Sequence, residues 1–142
     1  MYNVKEIYYT FQGEGAFSGR PSVFCRFSGC NLWSGREKDR KNAKCNFCDT
    51  DFVGINGING GTFLNEKKLG KKIISLWQNK DNQLRPYVVF TGGEPLLQLD
   101  KKLIDFFKGG KHRRISKWLH YFPVYETYLR PYRKTPSKML EY

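Results

Sequence analysis

The sequence has few of the features that place a protein in or beyond a membrane. None of its apolar runs approaches the roughly 18 residues that a membrane-spanning helix needs. Residues 1–6 also lack the apolar segment of a signal peptide. Only four cysteines are present, and in a reducing compartment cysteines bind metals or take part in catalysis more often than they form disulfides. We therefore expect a cytoplasmic protein without a membrane partner, whose cysteines are functional.

Acidic residues are scarce, with 13 Asp and Glu against 25 Lys and Arg, which gives a net charge of +12. More than half of this excess lies in residues 108–142, which contain nine basic residues and two acidic ones. Because that segment has no sustained apolar period, it is predicted to be an irregular basic tail beyond a folded domain of residues 1–107. Such a tail could bind a phosphate backbone or could simply be solvated.

Residues 1–107 are predicted to alternate between strands and helices. Strands are indicated at residues 4–9, 22–28 and 87–90, and the last is a continuous apolar run typical of a buried parallel strand. Apolar residues at helical spacing follow Asn65, a predicted N-cap, and follow again from Pro95, a residue suited to the first turn of a helix. This order of elements is that of an α/β fold.

Three of the cysteines stand in the spacing C-x14-C-x2-C, at Cys30, Cys45 and Cys48, within a long loop-like segment of residues 29–62 that we call the cysteine loop. Structural zinc sites and electron-transfer iron–sulfur sites usually have four protein ligands. A site with three leaves one coordination position for a substrate. A second interpretation adds Cys25 and gives a zinc-stabilised, basic nucleic-acid-binding module. Against it, Cys25 lies mid-strand, shares a strand face with apolar neighbours, and is typical of a small core side chain.

A Gly-Gly-Glu-Pro segment at residues 92–95 follows the buried strand, and together with the cysteine loop it resembles the radical S-adenosylmethionine superfamily. Further segments resemble the 7-carboxy-7-deazaguanine synthase family within it, in family order over roughly residues 4–107. They are Phe11-Gln12-Gly13-Glu14-Gly15, Cys25-Arg26-Phe27, Gly29-Cys30-Asn31-Leu32-Trp33-Ser34-Gly35-Arg36 and Cys48-Asp49-Thr50-Asp51-Phe52. The resemblance implies the N-terminal part of an incomplete (β/α) barrel of the radical S-adenosylmethionine type, followed by the basic tail.

The resemblance implies that the three cysteines of the loop bind three irons of a [4Fe–4S] cluster, whose fourth iron takes the amino and carboxylate groups of S-adenosylmethionine. Gly92 and Gly93 would let the backbone approach the methionyl amino group, at the strand end where ligands of open α/β sheets bind. Glu94 would accept a hydrogen bond from the same group. An electron from a flavodoxin-like or ferredoxin-like donor would then generate a 5′-deoxyadenosyl radical.

The family's substrate is 6-carboxy-5,6,7,8-tetrahydropterin. The resemblance implies that Arg26 pairs with its carboxylate as a bidentate fork, that Glu14 accepts protons from its amino-pyrimidine edge, and that Thr50 is an oxygen ligand of Mg²⁺. The other implied substrate contacts are Phe11, Gln12, Gly13 and Thr91. Hydrogen abstraction, rearrangement and loss of ammonia would give 7-carboxy-7-deazaguanine, a lyase reaction of queuosine and deazapurine biosynthesis. The product would serve tRNA modification, without direct nucleic-acid binding by this chain.

Several of these residues also have simpler interpretations. Gly13 and Gly15 could serve only a turn, Arg26 could pair with a carboxylate such as Glu14, and Thr50 could cap a helix. Another radical enzyme, such as a glycyl-radical activase, would share the cysteine loop and the Gly-Gly-Glu-Pro segment.

The resemblance stops near residue 107. The family's next strand, which ends in a Glu-Thr-Asn-Gly segment, has at best a faint echo at Glu126-Thr127. From this departure we expect a truncated or frame-shifted reading frame that lacks the C-terminal contacts to S-adenosylmethionine. The chain by itself could therefore be inactive. The family also implies a homodimer.

Overall fold

The computed structural model describes residues 1–78 and 86–109. The predicted basic tail therefore lies almost entirely outside the described residues, and its irregularity stays a prediction. The described strands are β1 (Tyr2–Phe11), β2 (Pro21–Phe27), β3 (Gly61–Phe63) and β4 (Val88–Gly92), the α-helices are α1 (Glu66–Ser75) and α2 (Lys101–Gly109), and short 3₁₀ helices span Gly15–Phe17, Glu37–Asn42 and Pro95–Leu97.

The four strands form one mixed sheet in the order β3-β1-β2-β4. β1 runs antiparallel to both β2 and β3, whereas β2 and β4 are parallel. The segment β2-α1-β4 is thus a strand–helix–strand crossover, and α2 follows it, which confirms the predicted α/β character. A closed or partial barrel stays a prediction.

The core lies between one face of the sheet and the two helices. Cys25 is fully buried in it at the centre of β2, and β1, α1 and α2 contribute the aliphatic and aromatic side chains around it. The other fully or nearly fully buried members are Tyr2, Val4, Ile7, Val23, Phe27, Leu69, Ile73, Val88, Leu103 and Phe107. The predicted role of Cys25 as a core side chain is confirmed.

The two helices begin where carboxylate or amide side chains cap them. Asn65 is the predicted N-cap of α1, and its Oδ1 accepts a hydrogen bond from the Lys68 N–H at 2.9 Å. The prediction that the second helix starts at Pro95 is wrong. Glu94 caps only a short 3₁₀ turn by accepting from the Leu96 N–H, and α2 begins after Asp100, whose Oδ1 accepts from the Leu103 N–H at 2.9 Å.

The cysteine loop is tied to β1 along its second half, and its last two residues belong to β3. The Gly57 N–H donates to the Lys5 carbonyl at 2.9 Å and the Ile7 N–H donates to the Ile58 carbonyl at 2.8 Å. The nearly buried Lys5 ammonium also contacts this part of the loop, at 3.0 Å from Asp51 Oδ2 and 2.8 Å from the Val53 carbonyl. These contacts order residues that the sequence alone indicated only as a loop.

Among the helices in the described part of the chain, none is long and apolar enough to cross a membrane.

The crossing of α1 and α2 gives a stability prediction at Gly70. Alanine normally stabilises a helix interior by about 1 kcal/mol relative to glycine. A Cβ at Gly70, however, would overlap the ring of Phe106, which is held edge-on against Phe107 at a centroid distance of 5.3 Å. We expect Gly70→Ala to lower the free energy of unfolding by about 1–3 kcal/mol through overpacking, measured by urea denaturation. The exposed Lys71→Ala on the same helix is the control; stabilisation by Gly70→Ala would contradict this packing.

Candidate functional site

The sheet face that the helices leave open gathers polar side chains from three neighbouring strands. Arg26 of β2 lies beside Glu6 of β1 and beside Thr91 of β4 in the strand register. Side chains at paired positions of adjacent strands share a face of the sheet. Arg26 and Thr91, both predicted to contact the substrate, are therefore neighbours on this open face.

Arg26 is held by contacts to its terminal nitrogens. Its Nη1 lies 2.9 Å from Glu6 Oε1 and 3.4 Å from the Asp51 carbonyl, and its Nη2 lies 3.4 Å from the Tyr8 hydroxyl. The Nε is buried and has no hydrogen-bond partner among the described residues. The guanidinium thus has a fixed position and a donor left over, and the two contacts at 3.4 Å are long enough to be weak.

Sequence analysis did not predict Glu6 and Tyr8 as partners of Arg26. The alternative that Arg26 pairs with a carboxylate is confirmed, but that carboxylate is Glu6 and not Glu14. The predicted strand at residues 4–9 already contained the signal, because Glu6 and Tyr8 alternate along it and so share a face. Which residue of the next strand they would meet depends on the register, and the sequence does not give that register.

The Gly-Gly-Glu-Pro segment lies against the start of the cysteine loop, at the C-terminal ends of the parallel strands β2 and β4. The Gly93 N–H donates to the Phe27 carbonyl at 3.3 Å and the Glu94 N–H donates to the Gly29 carbonyl at 3.0 Å. A Cβ added at Gly93 would overlap the Gly29 carbonyl and lie 2.9 Å from the Cβ of Cys30. Only glycine permits this approach, so the two segments are joined through their backbones.

A side chain at Gly92 would also collide with backbone atoms. Gly92 has a φ of +126°, which an L side chain rarely adopts, and a Cβ there would overlap Phe27. Both glycines therefore have a packing reason to be glycine, and their predicted contact with a cofactor stays a prediction. Glu94 is expected to accept a hydrogen bond from S-adenosylmethionine. In the structure one of its carboxylate oxygens accepts from the Leu96 N–H.

The cysteine loop folds back so that the backbone at Cys45 meets the start of the loop. The carbonyl of Leu32 accepts hydrogen bonds from the N–H groups of Lys44 and Cys45, at 3.0 and 3.2 Å, and the Leu32 N–H lies 3.4 Å from Cys30 Sγ. Cys30, Cys45 and Cys48 are all free thiols of intermediate exposure. The long C-x14-C spacing therefore returns the chain to Leu32, two residues after the first cysteine.

The donor set, three thiols of one loop, is of the kind that a [4Fe–4S] cluster with three protein ligands uses. In the described ranges no group of three or more His, Cys, Asp or Glu side chains is arranged to hold a metal ion. Cys25 does not belong to this set. It is in the core, and burial raises the pKa of its thiol, which disfavours the thiolate that zinc would need.

Thr50 lies in the loop just before a residue that touches Arg26. The next helix begins only at Glu66, so the interpretation of Thr50 as a helix cap is wrong. Asp51 contacts Arg26 through its carbonyl, and its carboxylate is paired with Lys5. The hydrogen bond from Lys5, with smaller contributions from the Val53 N–H and from Lys5 and Arg26 charges, lowers the pKa of Asp51. The Thr50 segment is thus fixed beside the guanidinium.

The predicted substrate contacts from Phe11 to Glu14 lie at the other end of the strands. They belong to the end of β1 and the 12–20 connection, which is closed by the Gln12 N–H to the Arg20 carbonyl at 2.8 Å. Phe11 pairs with Pro21, five residues before Arg26, which corresponds to about 16 Å along a strand. The structure therefore does not place these residues next to Arg26 but at the opposite end of the same strand pair. Gly15 has a φ of +69°, so the turn interpretation holds for it.

Curated proteins named 7-carboxy-7-deazaguanine synthase are similar to this chain. The one from Burkholderia multivorans is 61% identical over 104 residues, which are 73% of this chain and 49% of that protein. The one from Bradyrhizobium diazoefficiens is 60% identical over 105 residues, with the same shares of 73% and 49%. A more distant one, from Bacteroides thetaiotaomicron, is 35% identical over 113 residues, or 79% of this chain and 49% of that protein. The chain spans about half the length of the curated relatives it matches.

The fold is also found in a solved structure, the crystal structure of QueE from Escherichia coli. The TM-score is 0.52 at 24% identity, with 75% of this chain and 47% of that chain covered. This likeness supports the mixed α/β arrangement described above. No model of a known protein family matches the chain. With identities of 57–61% to several curated relatives over almost three quarters of its length, the chain belongs to the 7-carboxy-7-deazaguanine synthase family.

Proposed function

We propose that this chain acts as a radical S-adenosylmethionine carbon–nitrogen lyase that converts 6-carboxy-5,6,7,8-tetrahydropterin into 7-carboxy-7-deazaguanine with loss of ammonia. The observation that carries the proposal is the backbone contact of Gly93 with Gly29 and Cys30. It joins the two segments that resemble cofactor-binding segments at one edge of the sheet. The reaction belongs to queuosine and deazapurine biosynthesis.

Cys30, Cys45 and Cys48 would hold the [4Fe–4S] cluster, and the backbone of Gly92 and Gly93 with Glu94 would contact S-adenosylmethionine. When bound, the cluster and S-adenosylmethionine would supply the one-electron chemistry that generates a hydrogen-abstracting radical. The protein's own contribution is position. The Leu32 carbonyl and the glycine contact at Gly93 hold the cysteine loop against the strand end.

The polar groups at the two ends of the open sheet face match in kind the groups at the two ends of the pterin. Arg26 and Thr91 lie near the C-terminal end of the parallel strands, close to the cysteine loop, while Gln12 and Glu14 lie beyond the opposite end. The substrate has its carboxylate at one end and its amino-pyrimidine edge at the other. We propose that the carboxylate lies toward Arg26 and the cysteine loop and the amino-pyrimidine edge toward Gln12 and Glu14, with Phe11 and Gly13 as neighbouring contacts.

The unpartnered Nε of Arg26 supports this orientation. A buried N–H donor without a partner is costly, and a carboxylate in front of it would satisfy it in the fork geometry that guanidinium groups use. Glu6 would keep the guanidinium fixed from the other side through its 2.9 Å ion pair. Substrate binding would then complete a set of contacts that the chain leaves incomplete.

Thr50 is proposed as an oxygen ligand of Mg²⁺ beside the same carboxylate. The support is local: the carbonyl of its neighbour Asp51 already contacts Arg26. The flavodoxin-like or ferredoxin-like electron donor, the homodimer and the cytoplasmic location stay predictions from the resemblance.

Cluster assembly gives the first test of this function. The full 142-residue chain, reconstituted without oxygen with iron and sulfide, is expected to become brown and to hold about four irons and four sulfides per chain. Cys30→Ala, Cys45→Ala and Cys48→Ala should each lose most of this iron and sulfide. Cys25→Ala is the matched control and should keep it, because Cys25 is in the core.

A colourless protein that binds one zinc and loses it in Cys25→Ala would instead favour the nucleic-acid-binding interpretation. Chemical analysis of iron, sulfide and zinc on the same preparations separates the two outcomes.

Substrate recognition gives a second test, in which the reconstituted chain receives the pterin substrate, S-adenosylmethionine, Mg²⁺ and a reductant. Any turnover is expected to form 7-carboxy-7-deazaguanine and not to activate a glycyl-radical enzyme. Arg26→Ala should weaken substrate binding by about 1.5–3 kcal/mol, the value of a hydrogen bond to a charged group, or about tenfold to a hundredfold. Lys71→Ala on the exposed side of α1 is the control. Equal substrate affinities in the wild type and Arg26→Ala would contradict the role of Arg26.

A further inference from the structure

We propose that Arg40 is the positioning residue of the cysteine loop: its guanidinium connects the short helix at Glu37–Asn42 to the C-x2-C segment and holds the backbone that carries Cys48 in place for the cluster. This inference rests on the proposed function, because it concerns the same cluster. It assigns a role to the short helix at Glu37–Asn42, which lies wholly within the 14 residues between Cys30 and Cys45.

The guanidinium makes polar contacts on both of its sides. Nη1 donates to the carbonyls of Asn46 and Cys48, at 2.8 and 3.0 Å. Nε donates to Glu37 Oε2 at 2.7 Å, and Nη2 contacts the other oxygen of the same carboxylate. One side chain thus bridges the C-x2-C segment to the short helix, which a lysine with a single ammonium could not do in the same geometry.

The flat face of the guanidinium is fixed as well. Its Cζ lies 4.1 Å from the centre of the Trp33 ring. Trp33 is nearly buried, packs edge-on against Phe52 at 5.8 Å, and donates its Nε1–H to the Arg36 carbonyl at 3.3 Å. Arg40 therefore connects the C-x2-C segment to the pair formed by Trp33 and Phe52, whose rings come from different parts of the cysteine loop.

The positive charge of Arg40 lies close to the segment that carries Cys48, because its Nη1 contacts the carbonyls on both sides of Phe47, those of Asn46 and Cys48. The same proximity would stabilise negative charge on the cluster, because hydrogen bonds and charges around a metal site set its affinity and reduction potential. Arg40 would thus affect both how firmly the cluster is held and how readily it is reduced.

Two variants of the full chain separate these effects. Arg40→Gln removes the charge and the fork, whereas Arg40→Lys keeps a charge but removes the fork. Lys41→Gln, at the exposed next residue of the same short helix, removes one charge without touching these contacts and is the matched control. The measurements on the anaerobically reconstituted proteins are the rate of iron release to a chelator and the midpoint potential of the cluster.

We expect Arg40→Gln to release iron at least about tenfold faster than the wild type, as is usual when a supporting contact of a metal site is lost, and to have a more negative midpoint potential. Arg40→Lys should also release iron faster but should change the potential less. Lys41→Gln should match the wild type in both. A change in potential is a readout that mere loss of fold stability would not produce.

The inference would be overturned if Arg40→Gln, or Arg40→Lys should the Gln variant not fold, matched Lys41→Gln in both iron release and potential. That result would leave the proposed function intact. A wild-type chain that takes up no iron and sulfide would overturn the proposed function, and this inference with it.

Discussion

The backbone contact between the end of β4 and the start of the cysteine loop is the constraint on which the site depends. At Gly93 the chain passes so close to Gly29 and Cys30 that no side chain fits. The hydrogen bonds from Gly93 and Glu94 to the carbonyls of Phe27 and Gly29 fix that approach. Two segments more than 60 residues apart in the sequence are thereby joined at the strand ends, where open α/β sheets bind their ligands.

The two faces of β2 show how one strand serves both the core and the site. Cys25 is buried against the helices, while the adjacent Arg26 lies on the open face with Glu6 and Thr91. Alternation along the strand separates the two roles completely. This is why the four cysteines do not form one set: the one in the strand is a core residue, and the three in the loop are at the strand ends.

The sequence predicted what depends on local pattern. The strands near β1, β2 and β4 and the N-cap at Asn65 follow from periodicity and capping chemistry, and the structure confirms them. The predicted start of α2 was wrong because two carboxylates, those of Glu94 and Asp100, each cap a separate helical segment. A proline at a suitable position could not reveal that the first of these helices ends after one turn.

What the sequence could not predict depends on register and on contacts across the loop. The ion pair of Arg26 with Glu6 requires the β1–β2 register. The contacts of Arg40 with the carbonyls of Asn46 and Cys48 require the path of a 14-residue connection. In both cases nothing in the sequence distinguishes these charged residues from the many others, and only their position in the structure assigns them to the site.

On the proposed function, the three loop cysteines would hold a cluster that leaves one iron for S-adenosylmethionine. Electron paramagnetic resonance of the reduced, reconstituted chain, recorded with and without S-adenosylmethionine, tests this most directly. We predict the signal of a reduced [4Fe–4S] cluster that changes on addition of S-adenosylmethionine. An unchanged signal, or no cluster signal at all, would contradict the claim.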